Sequence, residues 1–219
     1  MMAPVTPTKS PKRKPKSEPT RKPEPEGRHS VRIIAGGWRG RRVNFPYLPG
    51  LRPTPDRVRE TLFNWLQNAI VGTRCLDVFA GSGALGLEAL SRGAAAVVFV
   101  EQAQAAARGL VAELARLGGT AKARVVEMGA SRFLRTQGAL FGAGYDVVFL
   151  DPPYHEGALG EYVPLVDAGN WVKPGGLVYL ESEKAAGAPV LPDHWELLKS
   201  KFAGEVGYHL ARVNARAGT

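Results

Sequence analysis

Two short stretches carry residues whose types and spacing suit chemistry, "LDVFAGSGALG" (76–86) and "FLDPPYHEG" (149–157). In the second, an apolar strand ends in Asp151, Pro152, Pro153 and Tyr154. Neither proline can extend a sheet, because each lacks the ladder N–H and has a fixed φ. The strand therefore stops there and leaves the acid and the aromatic ring at its carboxyl end. The plainest reading is a strand terminator. The chemical reading concerns an exocyclic amine, which conjugation with its ring makes a poor nucleophile. Asp151 and the Pro152 carbonyl can accept its two N–H hydrogens and orient its lone pair, while Tyr154 stacks on the base. Which reading holds depends on what else reaches that edge.

The first stretch answers part of this. Gly81, Gly83 and Gly86 fit G-x-G-x-x-G, between an apolar strand and a helical pattern. Glu101 follows twenty residues after Gly81 at the end of the next strand, where an acid can bind ribose hydroxyls. Together these read as a nucleoside-cofactor pocket. Asp77, four residues before Gly81, suits a cofactor bearing an ammonium or sulfonium charge and would repel a pyrophosphate. The balance thus favours S-adenosylmethionine over NAD. Phe79, between Asp77 and Gly81, is counted with the same pocket.

Elements that can position these groups follow from the pattern. Strand-like runs at 74–79, 95–100, 123–128, 145–150 and 176–182 alternate with helical stretches at about 83–92, 101–117, 130–137 and 156–169. Such alternation predicts an α/β fold, a doubly wound, mostly parallel sheet with helices on both faces. The segment "WELLKSKFAGEVGYHLARV" reads as an antiparallel hairpin turning at Ala203-Gly204 and closing the sheet edge. Ligands of such sheets sit outside the strand carboxyl ends, near the switch in strand order. Asp151 faces the glycine loop if the first and fourth strands of the alternation are neighbours.

Upstream, residues 31–35 and 40–45 flank a glycine-rich turn and read as a hairpin. Thr54 suits an N-cap and Pro55 the first position of the helix that follows. Val58, Leu62, Trp65, Leu66, Ala69 and Ile70 recur at helical spacing and should bury one stripe. Arg32, Arg39, Arg41, Arg42, Arg52, Arg57 and Arg59 fall in this block with no lysine among them. They form either a solvated face or, as the planar guanidinium favours, a phosphate-binding one. Trp38 in the turn stacks on a base or packs against the body.

Composition bounds the rest. Net charge is +9. Residues 1–30 hold eight Lys/Arg against three Glu (+5), leaving 21 basic and 17 acidic residues (+4) in the remainder. A polyanionic partner is consistent with this. That first segment also contains seven of the seventeen prolines and is expected to be a disordered basic arm. It shows no apolar core of a secretory signal, and no run is long enough for a membrane span. The single cysteine, Cys75, excludes an internal disulfide and reads as a small core residue in a cytoplasmic protein. The four histidines have no metal-ligand spacing, and Glu181 and Glu183 read as a salt-bridged or solvated strand edge. Three parts follow: the arm 1–30, an RNA-contacting extension 31–72 and a catalytic domain 73–219.

"LDVFAGSGALGLEALSRGA" and "LDPPY" resemble the amino-methyltransferases of the class I S-adenosylmethionine-dependent fold. "RIIAGGWRGRRV" with "LRPTPDRVRETLFNWL" resembles, more narrowly, the bacterial 16S rRNA guanine-N2 methyltransferases of the RsmD type. The resemblance runs from about 31 to 213. It implies a Rossmann-like, seven-stranded sheet with its last pair antiparallel, and methylation of one guanine's N2 amine in 16S rRNA, on a small ribosomal subunit or its assembly intermediate. Nothing demands more than a monomer. By the same resemblance Asp77, Gly81, Gly83 and Glu101 line the cofactor site, and Asp151 to Tyr154 the catalytic edge. Where relatives place a polar residue for the adenine, this chain has Gly129 and Ala130, whose backbone amides are the expected contact. The alternatives are an adenine-N6 methyltransferase on DNA or RNA, a non-catalytic rRNA-binding assembly protein and an NAD-dependent oxidoreductase.

Overall fold

The computed structural model describes residues 28–46, 54–136, 144–153 and 158–216. Arg52, Tyr154 and residues 1–27 of the expected basic arm lie outside them.

Seven strands form one sheet: β3 (Arg74–Asp77), β4 (Ala96–Glu101), β5 (Ala123–Glu127), β6 (Tyr145–Leu150), β7 (Val172–Glu183), β8 (Trp195–Ala203) and β9 (Val206–Val213). Their spatial order is β5-β4-β3-β6-β7-β9-β8. The β3–β4, β4–β5, β3–β6 and β6–β7 pairs are parallel, and β9 runs antiparallel to both β7 and β8. This is the doubly wound α/β sheet expected, with the closing hairpin turned at Gly204-Glu205. The order reverses at β3, whose neighbours are β4 on one side and β6 on the other. That is the adjacency on which the chemical reading of Asp151 depends.

Both faces are covered. On one, Leu62, Phe63, Leu85, Leu110, Phe149 and Tyr208 share a core with Cys75, which is fully buried. Phe133, Leu150, Val163, Trp171 and Leu180 lie in the second core. Burial on both sides is why β6 reads as an unbroken apolar run, "VVFL". Helix α2 (Ala84–Ser91) packs close on β4, since a Cβ at Gly86 would lie 2.1 Å from Phe99 Cε1. The third glycine of the loop motif is thus a helix–strand contact. The remaining sheet helices are α3 (Gln104–Leu117), α4 (Ala130–Arg135) and α5 (Ala158–Ala168).

The extension is a hairpin, β1 (Arg28–Arg32) with β2 (Arg42–Pro46), followed by α1 (Asp56–Trp65). Pairing starts at Arg28↔Pro46, so the first strand begins three residues inside the segment assigned by composition to the arm. Val31, Ile33, Val43 and Phe45 join the first core, which makes the extension an outer layer of the domain. Its turn is fixed by Ser91, whose carbonyl accepts from the Gly37 amide (2.7 Å) and whose hydroxyl accepts from the Trp38 amide (3.0 Å). Gly36, at φ 83°, comes so close to the Ser91 carbonyl that no side chain fits. Trp38 packs over Gly119, where a Cβ would meet its ring at 2.7 Å; of its two expected roles the structure shows packing.

Two expectations for α1 are corrected. Pro55 is the cap residue and Thr54 gives no capping hydrogen bond; its hydroxyl goes elsewhere. Arg59 is fully buried and does not face solvent. It shares the inward stripe of Leu62, Phe63 and Leu66, donates through Nη2 to the Arg32 carbonyl (2.8 Å) and Asp56 Oδ1 (2.6 Å), and lies 3.7 Å from Glu88 Oε2. Glu88, also buried, accepts from the Ile34 and Ala35 amides and from Arg92 Nε. This network pins the extension to α2. A phosphate cannot reach it.

Candidate active site

The carboxyl ends of β3, β4 and β6 bring together three acids. Asp77 ends β3 in register with Phe99 of β4 and Phe149 of β6, and Asp151 stands two residues beyond Phe149. Glu101 ends β4. The loop from β3 to α2 lies among them, with Gly81 (φ 52°) and Gly83 (φ 76°) in the left-handed region that glycine tolerates.

Each acid is held by donors that leave acceptor capacity. Glu101 takes the Gly81 amide on Oε2 (2.8 Å) and the Ala103 amide on Oε1 (2.7 Å). A carboxylate offers about four acceptor positions, so two remain for a pair of hydroxyls. Asp77 takes the Gly86 amide on Oδ2 (3.0 Å). Asp151 takes the Thr54 hydroxyl on Oδ2 (2.9 Å).

The electrostatics are those of clustered negative charge. Asp77 is 1% exposed. Burial pushes its carboxyl up to about 7 against the Gly86 hydrogen bond, and the charges of Asp151 and Glu101 add to the rise. Asp151 is pushed up to about 6, again by burial, with the Thr54 hydrogen bond opposing. An entering positive charge would relieve this repulsion, whereas a pyrophosphate would add to it. The three loops that end β3, β4 and β5, residues 78–83, 102–103 and 128–129, contain no Lys or Arg. The acids therefore fit a cationic nucleoside cofactor, and NAD is disfavoured on chemistry.

Phe79 is half-buried beside this loop, edge-on to Tyr162 at 4.7 Å. Gly129 caps α4 at the end of β5, with Ala130 next and the Gln102 side chain alongside. The end of β5 adjoins that of β4, where the Met128 amide donates to the Glu101 carbonyl (3.0 Å). Pro152 is buried and Pro153 exposed.

Of the arginines, Arg32, Arg39, Arg41, Arg42 and Arg57 are exposed. Arg32 and Arg42, with Ser30, Thr54 and Asp56, line a cavity of about 380 Å³ on the extension. Thr54 joins that cavity to Asp151.

Two residues near the site escaped sequence reasoning. Thr54 looked like a helix cap, and nothing local points from position 54 to position 151. Glu181 is 3% exposed and accepts the Tyr179 hydroxyl (2.7 Å), so it is a buried group and not a solvated edge. Its position on β7 follows Leu180, the partner of Leu150, which puts it level with Asp151. Among the described residues no cluster of His, Cys, Asp or Glu could hold a metal ion, and no helix is long and apolar enough to cross a membrane.

A family model described as conserved hypothetical protein 95 matches residues 31–212. The ribosomal RNA small subunit methyltransferase D of Escherichia coli is 46% identical over 196 residues, 90% of this chain and 96% of that protein. The solved yhhF protein of Escherichia coli superposes with a TM-score of 0.79 at 44% identity, covering 86% of this chain and 100% of the other. A T. thermophilus 16S rRNA N2 methyltransferase in complex with AdoMet and guanosine gives 0.58 at 25% identity, covering 85% of this chain and 50% of that one.

Proposed function

The chain belongs to the conserved hypothetical protein 95 family, and from that premise we propose how its site works: it is an S-adenosylmethionine-dependent methyltransferase of 16S rRNA that modifies the exocyclic N2 amine of a guanine. The observation that carries this reading is the convergence of Asp77, Glu101 and Asp151 around one glycine loop, at the point where strand order reverses. A site built from buried acids selects a cation, and the D-P-P segment beside it offers acceptors suited to an amine.

When bound, S-adenosylmethionine supplies an electrophilic methyl group. Asp77 provides the charge that favours its cationic end, and Glu101 accepts from ribose hydroxyls while holding the Gly81 amide. The amides of Gly129 and Ala130 serve the adenine. Asp151 acts through the carboxylate oxygen that Thr54 leaves open, taking one N–H of the guanine amine, and the Pro152 carbonyl takes the other. With a pKa near 6, Asp151 is ionised at neutral pH and can also receive the proton the amine sheds. Pro153 stiffens the turn, and Tyr154 stacks on the extruded base. Arg32, Arg39, Arg41, Arg42 and Arg57 bind the rRNA backbone, together with Arg52 and the basic arm. Arg59 has no such part. The substrate form is the small subunit or its assembly intermediate, met by a cytoplasmic monomer.

The test is methyl transfer from labelled S-adenosylmethionine to small subunits from cells lacking the protein, followed by nucleoside digestion and mass spectrometry. Label in N2-methylguanosine is expected. Label in N6-methyladenosine would overturn the guanine assignment.

A further inference from the structure

Thr54 lies 97 positions from Asp151 in sequence and belongs to the extension, yet its Oγ1 donates to Asp151 Oδ2 at 2.9 Å. Thr54 is itself 5% exposed and spends no hydrogen bond on capping α1. Among the described residues no other hydrogen bond reaches the Asp151 side chain, so the carboxylate is fixed through one oxygen with the other left open. The fixing group comes from the extension, and it lines the cavity that Arg32 and Arg42 also line.

We propose that Thr54 is a positioning residue for methyl transfer: it locks the Asp151 carboxylate in the rotamer that presents Oδ1 to the substrate amine, and so couples the seating of the arginine-rich extension to the readiness of the catalytic acid. The inference rests on the role given above to Asp151. Its physical content is twofold. A carboxylate free to turn about its side-chain bonds meets the amine in the right orientation only part of the time, and misplacement of this order costs up to about a hundredfold in rate. The hydroxyl also favours the ionised form, which can accept an N–H on either oxygen and receive the proton that the amine sheds. Asp77 faces Asp151 from β3 with Glu101 behind it on β4, and Glu181 stands level on β7; all are acids, and Thr54 is the neutral donor that offsets them.

The experiment compares Thr54→Val, Thr54→Ser and Asp151→Ala in the full chain on small ribosomal subunits, reading kcat, KM for the subunit, S-adenosylmethionine affinity and the pH profile of kcat. Thr54→Val keeps the shape and removes the donor; Thr54→Ala serves the same purpose if the valine variant does not fold. We expect Thr54→Val to lower kcat by about 10- to 100-fold with KM and cofactor affinity unmoved. Loss of the hydroxyl raises the Asp151 pKa, so the acidic limb of the profile moves to higher pH. Thr54→Ser should restore both. Wild-type kcat with an unmoved acidic limb overturns the proposal. A loss of kcat without the pH shift, or one that serine does not restore, also overturns it, because it marks a packing role. If Asp151→Ala turns over normally, the failure lies in the role given to Asp151, and the proposal falls with it.

Discussion

Asp151, just past the end of β6, raises the pKa of Asp77 at the end of the neighbouring β3, and burial raises both. Two carboxylates with a third, Glu101, behind them repel one another when ionised. The arrangement becomes favourable when a cation enters. Sites of this kind sacrifice stability for binding.

That relationship predicts a pH-dependent gain on neutralising Asp77. Its folded-state pKa, about 7, exceeds the ordinary 3.8, so its contribution to stability is fully present below 3.8 and is lost as pH rises through 7. Asp77→Asn keeps an acceptor for the Gly86 amide and removes the charge. In thermal or denaturant unfolding without ligand, the variant should match the wild type near pH 4 and exceed it at pH 8 by up to about 4 kcal/mol. Its affinity for S-adenosylmethionine should fall about 10- to 100-fold, as expected for losing one charge-assisted contact. Equal stability at both pH values would show that Asp77 carries no such cost.

The arginines divide by exposure. Replacing Arg39, Arg41 and Arg42 together with Gln should weaken rRNA binding and reduce the slope of log affinity against log salt by about 2, near the value for three phosphate contacts to single-stranded nucleic acid. Folding stability should change little. Arg59→Gln should do the reverse. It removes the buried guanidinium that holds the Arg32 carbonyl and Asp56, while Glu88 keeps Arg92, so stability should fall by about 1–3 kcal/mol with the salt slope of the folded fraction intact. An unchanged slope in the triple variant would return Arg39, Arg41 and Arg42 to a solvated face.

What was legible in the sequence depended on whether the cause was local. The glycine loop, the strand ending in two prolines and the alternation of β3 to β7 are written in contiguous residues, and the sheet followed from them. Arg59 is legible too: positions 59, 62, 63 and 66 share one helical face, and only its charge points to a phosphate-binding or solvated surface. Thr54 was not legible. A threonine before a proline and an acidic residue suits a cap, and only the packing of the extension against β6 redirects its hydroxyl to Asp151. Glu181 sits on an alternating strand end where periodicity alone cannot separate a buried acid from a solvated one. Partners set by tertiary packing leave no local trace.

Single-turnover methyl transfer by Asp151→Ala, with S-adenosylmethionine affinity measured on the same preparation, tests the proposed role of Asp151 directly. The expected result is a fall in the transfer rate of at least about 10²–10³-fold, the scale of losing a preorganised acceptor, with cofactor affinity within about threefold of wild type. Transfer at the wild-type rate would contradict the assignment of Asp151 as the group that receives the amine.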